Sequence, residues 1–238
     1  MDWKIIHIDE TDSTNRWLRE LPATDENVAV WADYQTAGRG CGTNTWESER
    51  GKNLLFSLLI HPTGIPANCQ FLISEWVSVA LCELLESYIY NKVEIKWPND
   101  IYVEGKKICG ILIENRLTGD HIKESIIGIG LNVNQQKFLS DAPNPVSLCQ
   151  LLGHEVDREE VFRRFLQRKP LVSAAETDGF SYRNRLFLRQ KPAEYQDREG
   201  RFKGTLLDVE PDGRLVIMDE AGKERRYAFK EVQFVLAQ

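Results

Sequence analysis

Residues 34–57 read YQTAGRGCGTNTWESERGKNLLFS, with glycines at 38, 40 and 42 around Arg39, and Trp46 shortly before an apolar run. Glycines allow positive φ and let a backbone approach a ligand closely. Successive exposed N–H groups in such a stretch form an anion-binding nest. The guanidinium of Arg39 adds a fixed fork that suits carboxylate or phosphate. The common phosphate-loop patterns are not met. GxxxxGK followed by Ser or Thr is absent, and Thr43 and Thr45 stand where GxGxxG would need its last glycine. Taken alone, the stretch also fits a flexible glycine-rich connection.

Three further clusters can do chemistry. KWPND (96–100) gathers Lys96, Asn99 and Asp100 at one turn, stiffened by Trp97-Pro98. A carboxylate there can share Mg2+ with a nucleotide's phosphates; a simple Asx-type turn ending a strand explains the same residues. In GKKICGILIE (105–114), Lys107 stands at the entry to a strand, and Gly110, with Gly128 and Gly130 further on, thins the sheet surface. A lysine in that place also reads as a solvated edge charge. DSTN (12–15) supplies helix-capping types, yet no Glu or Gln follows three residues after Ser13 or Thr14, so no capping box forms. Small polar residues in succession, Ser13, Thr14 and Asn15, can instead offer donors and acceptors to a polar ligand.

The elements that must position these clusters follow from periodicity. Residues 3–9, 28–35 and 53–60 read as strands, the last apolar enough to be buried on both faces. Residues 68–90 carry Phe71, Trp76, Val79, Ala80, Leu84 and Leu85 at helical spacing. Residues 93–103 read as strand, Pro-Asn-Asp turn and strand; 103–107 is a hairpin turn and 108–114 the returning strand. Residues 125–134 form one more strand, with glycines placed for close approach. Residues 134–148, with Pro143 and Pro145, read as a loop, and 146–153 and 158–189 as helical. From about Pro192 the pattern changes to RFKGTLLDV, RLVIMD, ERRYAF and QFVL, separated by EPDG and EAGK, the mark of a small β-barrel. Two domains are expected, 1–190 and 191–238.

The bulk numbers narrow the class. A length of 238 residues suits one large domain with a small appendage, and 42% hydrophobic with 28% charged residues is ordinary for a soluble globular chain. A net charge of −6 argues against nucleic acid as the main partner, while leaving room for a local basic pocket. Five cysteines without a CxxC pair and four histidines without an HxxxH pair argue against a protein-held zinc site and for a reducing compartment. No signal peptide opens the chain and no apolar stretch is long enough to span a bilayer, so a cytoplasmic protein with no membrane partner is expected.

DSTN, YQTAGRG with the following Trp46 and Ser48, KWPND, GKKICGILIE and GIGLNVN occur in one order, and together they resemble the biotin protein ligases over about residues 3–135. Residues 192–238 look like that family's C-terminal barrel of the Src-homology-3 type. The resemblance implies an α+β fold: a mixed β-sheet with flanking helices, of the class II aminoacyl-tRNA-synthetase type, plus the small barrel. It implies a two-step ligase that uses ATP, Mg2+ and biotin to make biotinyl-5′-AMP, then biotinylates a lysine of a biotin carboxyl carrier protein. DSTN begins at residue 12, which leaves no room ahead of it for the winged-helix DNA-binding domain of some members, so a repressor is not expected.

By the same resemblance Arg39 and Lys107 are the catalytic cations. Ser13, Thr14, Asn15, Gln35, Gly38, Gly40, Trp46, Gly110 and Ile111 join them around biotin, with Ile113 as a further tunnel candidate. Lys96, Asn99, Asp100 and Asn132 are implied at the nucleotide, and no residue is assigned as a direct metal ligand. The glycine loop is expected to fold over the adenylate. Cys41 stands where many bacterial members carry arginine, which removes a cation from that loop. A side-by-side dimer is common in the family. A lipoate-type ligase shares the architecture, but its RRxSGGG-like stretch and following histidine are missing. A non-catalytic biotin-binding module would need neither KWPND nor Lys107.

Overall fold

LLFSLLI, Leu54–Ile60, is apolar at every position but Ser57 and is buried at all seven. Such a run needs cover on both faces, and it receives it at the middle of a seven-stranded sheet. The computed structural model describes residues 3–139, 144–168 and 179–236. In chain order the first sheet and its helices are β1 (Lys4–Thr11), α1 (Thr14–Arg19), β2 (Val28–Gln35), β3 (Leu54–Ile60), α2 (Phe71–Glu86), β4 (Val93–Lys96), β5 (Asp100–Val103), β6 (Lys106–Thr118), β7 (His121–Leu131), α3 (Leu148–Leu152), α4 (Arg158–Leu166) and α5 (Gly179–Asn184).

The strand order is β1-β2-β3-β7-β6-β5-β4, with β1 and β2 parallel and the other neighbours antiparallel. This is the expected mixed sheet. One face carries α1, whose Leu18 joins Val28, Val30, Leu59 and Ile126 in a small core. The other carries α2 and α4. There Phe56 meets Phe162 and Phe165 edge-on, each at 5.3 Å between ring centres, geometry that aromatic pairs favour. In α2 the buried stripe runs through Phe71, Ile73, Val77, Leu81 and Leu85; Trp76 and Val79, expected in the core, are only partly buried.

The second sheet is all antiparallel: β8 (Pro192–Asp197), β9 (Gly200–Val209), β10 (Leu215–Asp219), β11 (Glu224–Tyr227) and β12 (Gln233–Val235), in the order β11-β10-β9-β8-β12. Its core residues Tyr195, Leu206, Ile217 and Val232 belong to the same apolar cluster as the first sheet. The sequence reading lacked β8, a short strand of mostly polar residues that opens on a proline. Its Tyr195 is nevertheless fully buried. Between the sheets, residues 185–190 bond to both. Ile95 N–H donates to the Arg185 carbonyl at 2.7 Å, and Gln190 N–H to the Leu206 carbonyl at 2.9 Å.

The expected helix over 158–189 is two helices. Asp157 caps α4 by accepting from the N–H groups of Glu159 and Glu160. The intervening 169–178, and Pro143 in the expected loop, lie outside the described residues.

Two outcomes test this fold. A methyl on Gly128 would enter the side-chain amide of Asn15, so Gly128→Ala should cost about 1–3 kcal/mol in urea unfolding, as overpacking does; a neutral result contradicts the packing of α1 on β7. All five cysteines are free, and Cys82, Cys109 and Cys149 are buried while Cys41 and Cys69 are partly exposed. Burial also pushes the Cys82 and Cys109 thiols up, so alkylation of the native protein should label Cys41 and Cys69 first. Equal labelling of all five contradicts the core.

Candidate active site

The glycine loop is a small hairpin. Trp46 N–H donates to the Gly38 carbonyl at 2.9 Å and Gly40 N–H to the Asn44 carbonyl at 2.8 Å. This brings Trp46 down onto the sheet, where Gly110 of β6 and Gly130 of β7 are register partners. A Cβ on Gly110 would come within 2.8 Å of the indole, and one on Gly130 closer still. The two strands leave off their side chains where the loop must lie. The indole N–H is buried without a partner, a donor whose isolation costs about 1–3 kcal/mol until a ligand meets it. Arg39 is exposed on this loop and pairs with no carboxylate among the described residues.

Loop and sheet enclose a cavity of about 1220 Å³. Its polar end is built by DSTN. Thr14 donates to Gln35 Oε1 through its backbone N–H at 2.8 Å and its hydroxyl at 3.0 Å. Ser13 is the N-cap of α1 but makes no side-chain cap bond, so its hydroxyl is not used by the helix. Asn15 lines the cavity yet is already occupied. It accepts from Ser57 at 2.6 Å and donates to Glu114 at 2.9 Å, bracing α1 against β3 and β6. The apolar wall is Ile111, Leu112 and Ile129.

The KWPND turn supplies the charged end. Lys107 pairs with Asp100 at 2.8 Å and lies 5.6 Å over the Trp46 ring. Lys96 packs over Tyr102 and Phe234 at 5.4 and 5.5 Å. Burial lowers its pKa below the usual lysine range, Asp100 opposes that fall and Lys107 adds to it. Asn99 lines the cavity while its amide donates to the Ile111 carbonyl at 2.8 Å.

The structure thus brings Ser13, Thr14, Asn15, Gln35, Arg39, Gly40, Trp46, Lys96, Asn99, Asp100, Lys107, Gly110 and Ile111 to one cavity. It does not bring Gly38, Asn132 or Ile113 there. Gly38 is buried at the root of the hairpin. Ile113 packs on the core. Asn132, expected at the nucleotide, lies behind the cavity wall and is not among its lining residues. It is buried, donates to the Val146 carbonyl at 3.1 Å and accepts from Asn53 at 3.4 Å. Asn53 and Glu49 both donate to Gln135 Oε1, at 2.6 and 3.0 Å, so these amides anchor the chain that leaves Trp46.

Sequence reasoning missed Ser57, which bonds to Thr14 and Asn15 behind the cavity, and Leu112, Ile129 and the C-terminal residues Phe229, Lys230, Val232, Gln233 and Phe234, which line it. The last five lie more than 90 residues from the nearest motif, and no local pattern marks them. Among the described residues His7, Asp9 and Asp33 form a cluster of metal-ligand types. None lines the cavity, and Asp33 is held by Arg158 at 2.8 Å.

Comparison with known proteins places this geometry. The sequence pattern of the Biotin/lipoate A/B protein ligase family matches residues 7–132. The Bifunctional ligase/repressor BirA of Bacillus spizizenii is 36% identical over 173 residues, 70% of this chain and 52% of that protein. The chain spans about half the length of the first curated relatives it matches. A Biotin--[acetyl-CoA-carboxylase] ligase of Paracoccus denitrificans is 29% identical over 228 residues, 90% of this chain and 94% of that one. The biotin protein ligase of Aquifex aeolicus, solved with biotin and ATP, superposes with a TM-score of 0.79 at 26% identity, over 98% of this chain and 99% of that chain. With its mixed sheet, its glycine hairpin and more than half its length matching the family pattern, the chain belongs to the biotin/lipoate A/B protein ligase family.

Proposed function

We propose that the chain joins biotin to ATP as biotinyl-5′-AMP and then passes the biotinyl group to a lysine of a biotin carboxyl carrier protein. The observation that carries this reading is the cavity itself. One end is a polar pocket at Thr14 and Gln35, the middle a side-chain-free floor under Trp46, and the other end the lysines of the KWPND and GKKICG turns. A bicyclic ureido ring, an apolar tail and a carboxylate need those three environments in that order.

In the first step a carboxylate oxygen of biotin bonds to the α-phosphorus, and the bond to the β-phosphate breaks, its electron pair leaving with pyrophosphate. In the second, the neutral carrier amine bonds to the anhydride carbonyl carbon, the C–O bond to the phosphate breaks with its electron pair leaving on AMP, and the nitrogen gives up one proton to solvent. Neither step needs a protein nucleophile. The side chains orient two anions in line and offset the charge that develops. Lys107 is the natural partner of both anions, with Asp100 holding it in place beforehand. Arg39 closes over them from the loop, and the hairpin keeps water from the anhydride.

Asp100 and Glu47 are the carboxylates that line the cavity, and Asp100 is engaged by Lys107. This donor set fits Mg2+ as an ion arriving on the nucleotide's phosphates. There it neutralises phosphate charge. Residues 1–190 are taken as the catalytic unit and 191–238 as the small barrel. A side-by-side dimer would use β1, whose outer edge lies at the end of the sheet.

Arg39→Ala and Lys107→Ala should each slow adenylate formation by about 100-fold or more, the scale of a lost oxyanion donor, measured with ATP, biotin and a carrier domain. Near-normal rates in both contradict the assignment, as does transfer of lipoate in place of biotin. The pH dependence is also fixed in sign. A lysine whose pKa is lowered loses its charge early as pH rises, so the KM for ATP should begin to climb below the usual lysine value of about 10.4. Lys96→Arg, which stays charged, should flatten that climb; parallel profiles contradict a nucleotide role for Lys96.

A further inference from the structure

We propose that Lys230, carried by the C-terminal sheet, holds the β- and γ-phosphates of ATP and the pyrophosphate they become; this rests on the ligase reading above. Lys230 sits in the turn between β11 and β12. Ala228 N–H donates there to Glu231 Oε2 at 2.7 Å, and Glu231 N–H to the Ala228 carbonyl at 3.1 Å. Its φ of 72° lies in the left-handed region, where a lysine is held only by its surroundings.

Lys230 lines the cavity together with Phe229, Val232, Gln233 and Phe234 of the same C-terminal segment. Its Nζ lies so near the hairpin tip that a Cβ on Gly42 would come within 2.6 Å of it. The tip itself, Cys41 to Asn44, carries no cation. Lys107 is engaged by Asp100, and Lys96 is packed between rings. Lys230 forms no ion pair with a described residue, and the carboxylate beside it, Glu231, is taken up by the turn. An unpaired ammonium at the mouth of a cavity built for two anions is a phosphate ligand by its chemistry.

A second observation gives the direction. Lys230 and Gln233 also line an adjoining cavity of about 610 Å³ on the C-terminal sheet. Its Arg225 and Arg226 are neutralised by Asp197, Asp219, Glu210 and Glu224. Glu199 and Glu231 line the same wall, so its charge is mixed, and Lys230, Arg198 and Lys223 are its cations without an ion pair to a described residue. When the α-phosphorus bonds to the biotin carboxylate, the electron pair and the charge move onto pyrophosphate, and Lys230 stands where that charge goes.

The test compares wild type, Lys230→Gln and Lys230→Arg in biotin-dependent exchange of pyrophosphate with ATP, alongside binding of AMP and biotin. Lys230→Gln should raise the KM for ATP and for pyrophosphate by about tenfold, the scale of one charged hydrogen bond. It should leave AMP and biotin affinity within about twofold, and Lys230→Arg should restore both KM values. An active wild type with unchanged KM values in Lys230→Gln overturns this inference alone. Equal loss of AMP and ATP affinity overturns it too, because that marks a structural role. A wild type that binds biotin and exchanges no pyrophosphate overturns the ligase reading and this inference together.

Discussion

A carboxylate reaches a phosphate only where cations offset their repulsion, and at about 4 Å that repulsion is worth several kcal/mol near a protein surface. The rest of this structure follows from that constraint. The cavity gathers its cations from elements far apart in the chain: Arg39 from a hairpin after β2, Lys96 from the end of β4, Lys107 from the start of β6, and Lys230 from the second sheet. Left together without an anion they would repel one another. Asp100 answers this by pairing with Lys107. Under the proposed reaction it keeps the lysine aimed while the site is empty, and an arriving carboxylate or phosphate has to share or displace it.

The same constraint explains why the second sheet is part of the site. Trp97 of the KWPND turn donates its indole N–H to the Gly213 carbonyl at 2.9 Å and meets Phe229 at 6.2 Å. Phe234 covers Lys96. The turn that carries Lys96, Asn99 and Asp100 is therefore fixed from both sides, by its own hairpin and by the C-terminal strands. Removing those strands would expose Trp97 and Lys96 to solvent and loosen the charged end of the cavity.

Much of this was legible in the sequence, for physical reasons. β2 was read at its observed bounds and β3 within one residue, because both are rich in apolar and aromatic residues, and β3, buried at all seven positions, is apolar at all but Ser57. The glycines at 110, 128 and 130 announced close approach, and the structure supplies what approaches: Asn15 at Gly128, Trp46 at the other two. What stayed hidden depends on distant contacts. Ser57 looks like filler in an apolar strand until Thr14 and Asn15 meet it, at 2.7 and 2.6 Å. Asn132 sits in a motif beside a glycine pair, yet its amide points into the joint with Asn53 and Val146. A polar residue near a site and a polar residue that braces a site carry the same local signature. Phe229, Lys230, Val232, Gln233 and Phe234 reach the cavity through contacts distant in sequence, Phe229 with Trp97 and Phe234 with Lys96.

The most direct measurement is a crystal structure of the chain with biotin and a non-reactive ATP analogue. The account predicts that the biotin carboxylate and the α-phosphate lie together, both within hydrogen-bond distance of Lys107 or Arg39, with the hairpin of Trp46 closed over them. A nucleotide seated outside this cavity, or a carboxylate directed away from both cations, would contradict it.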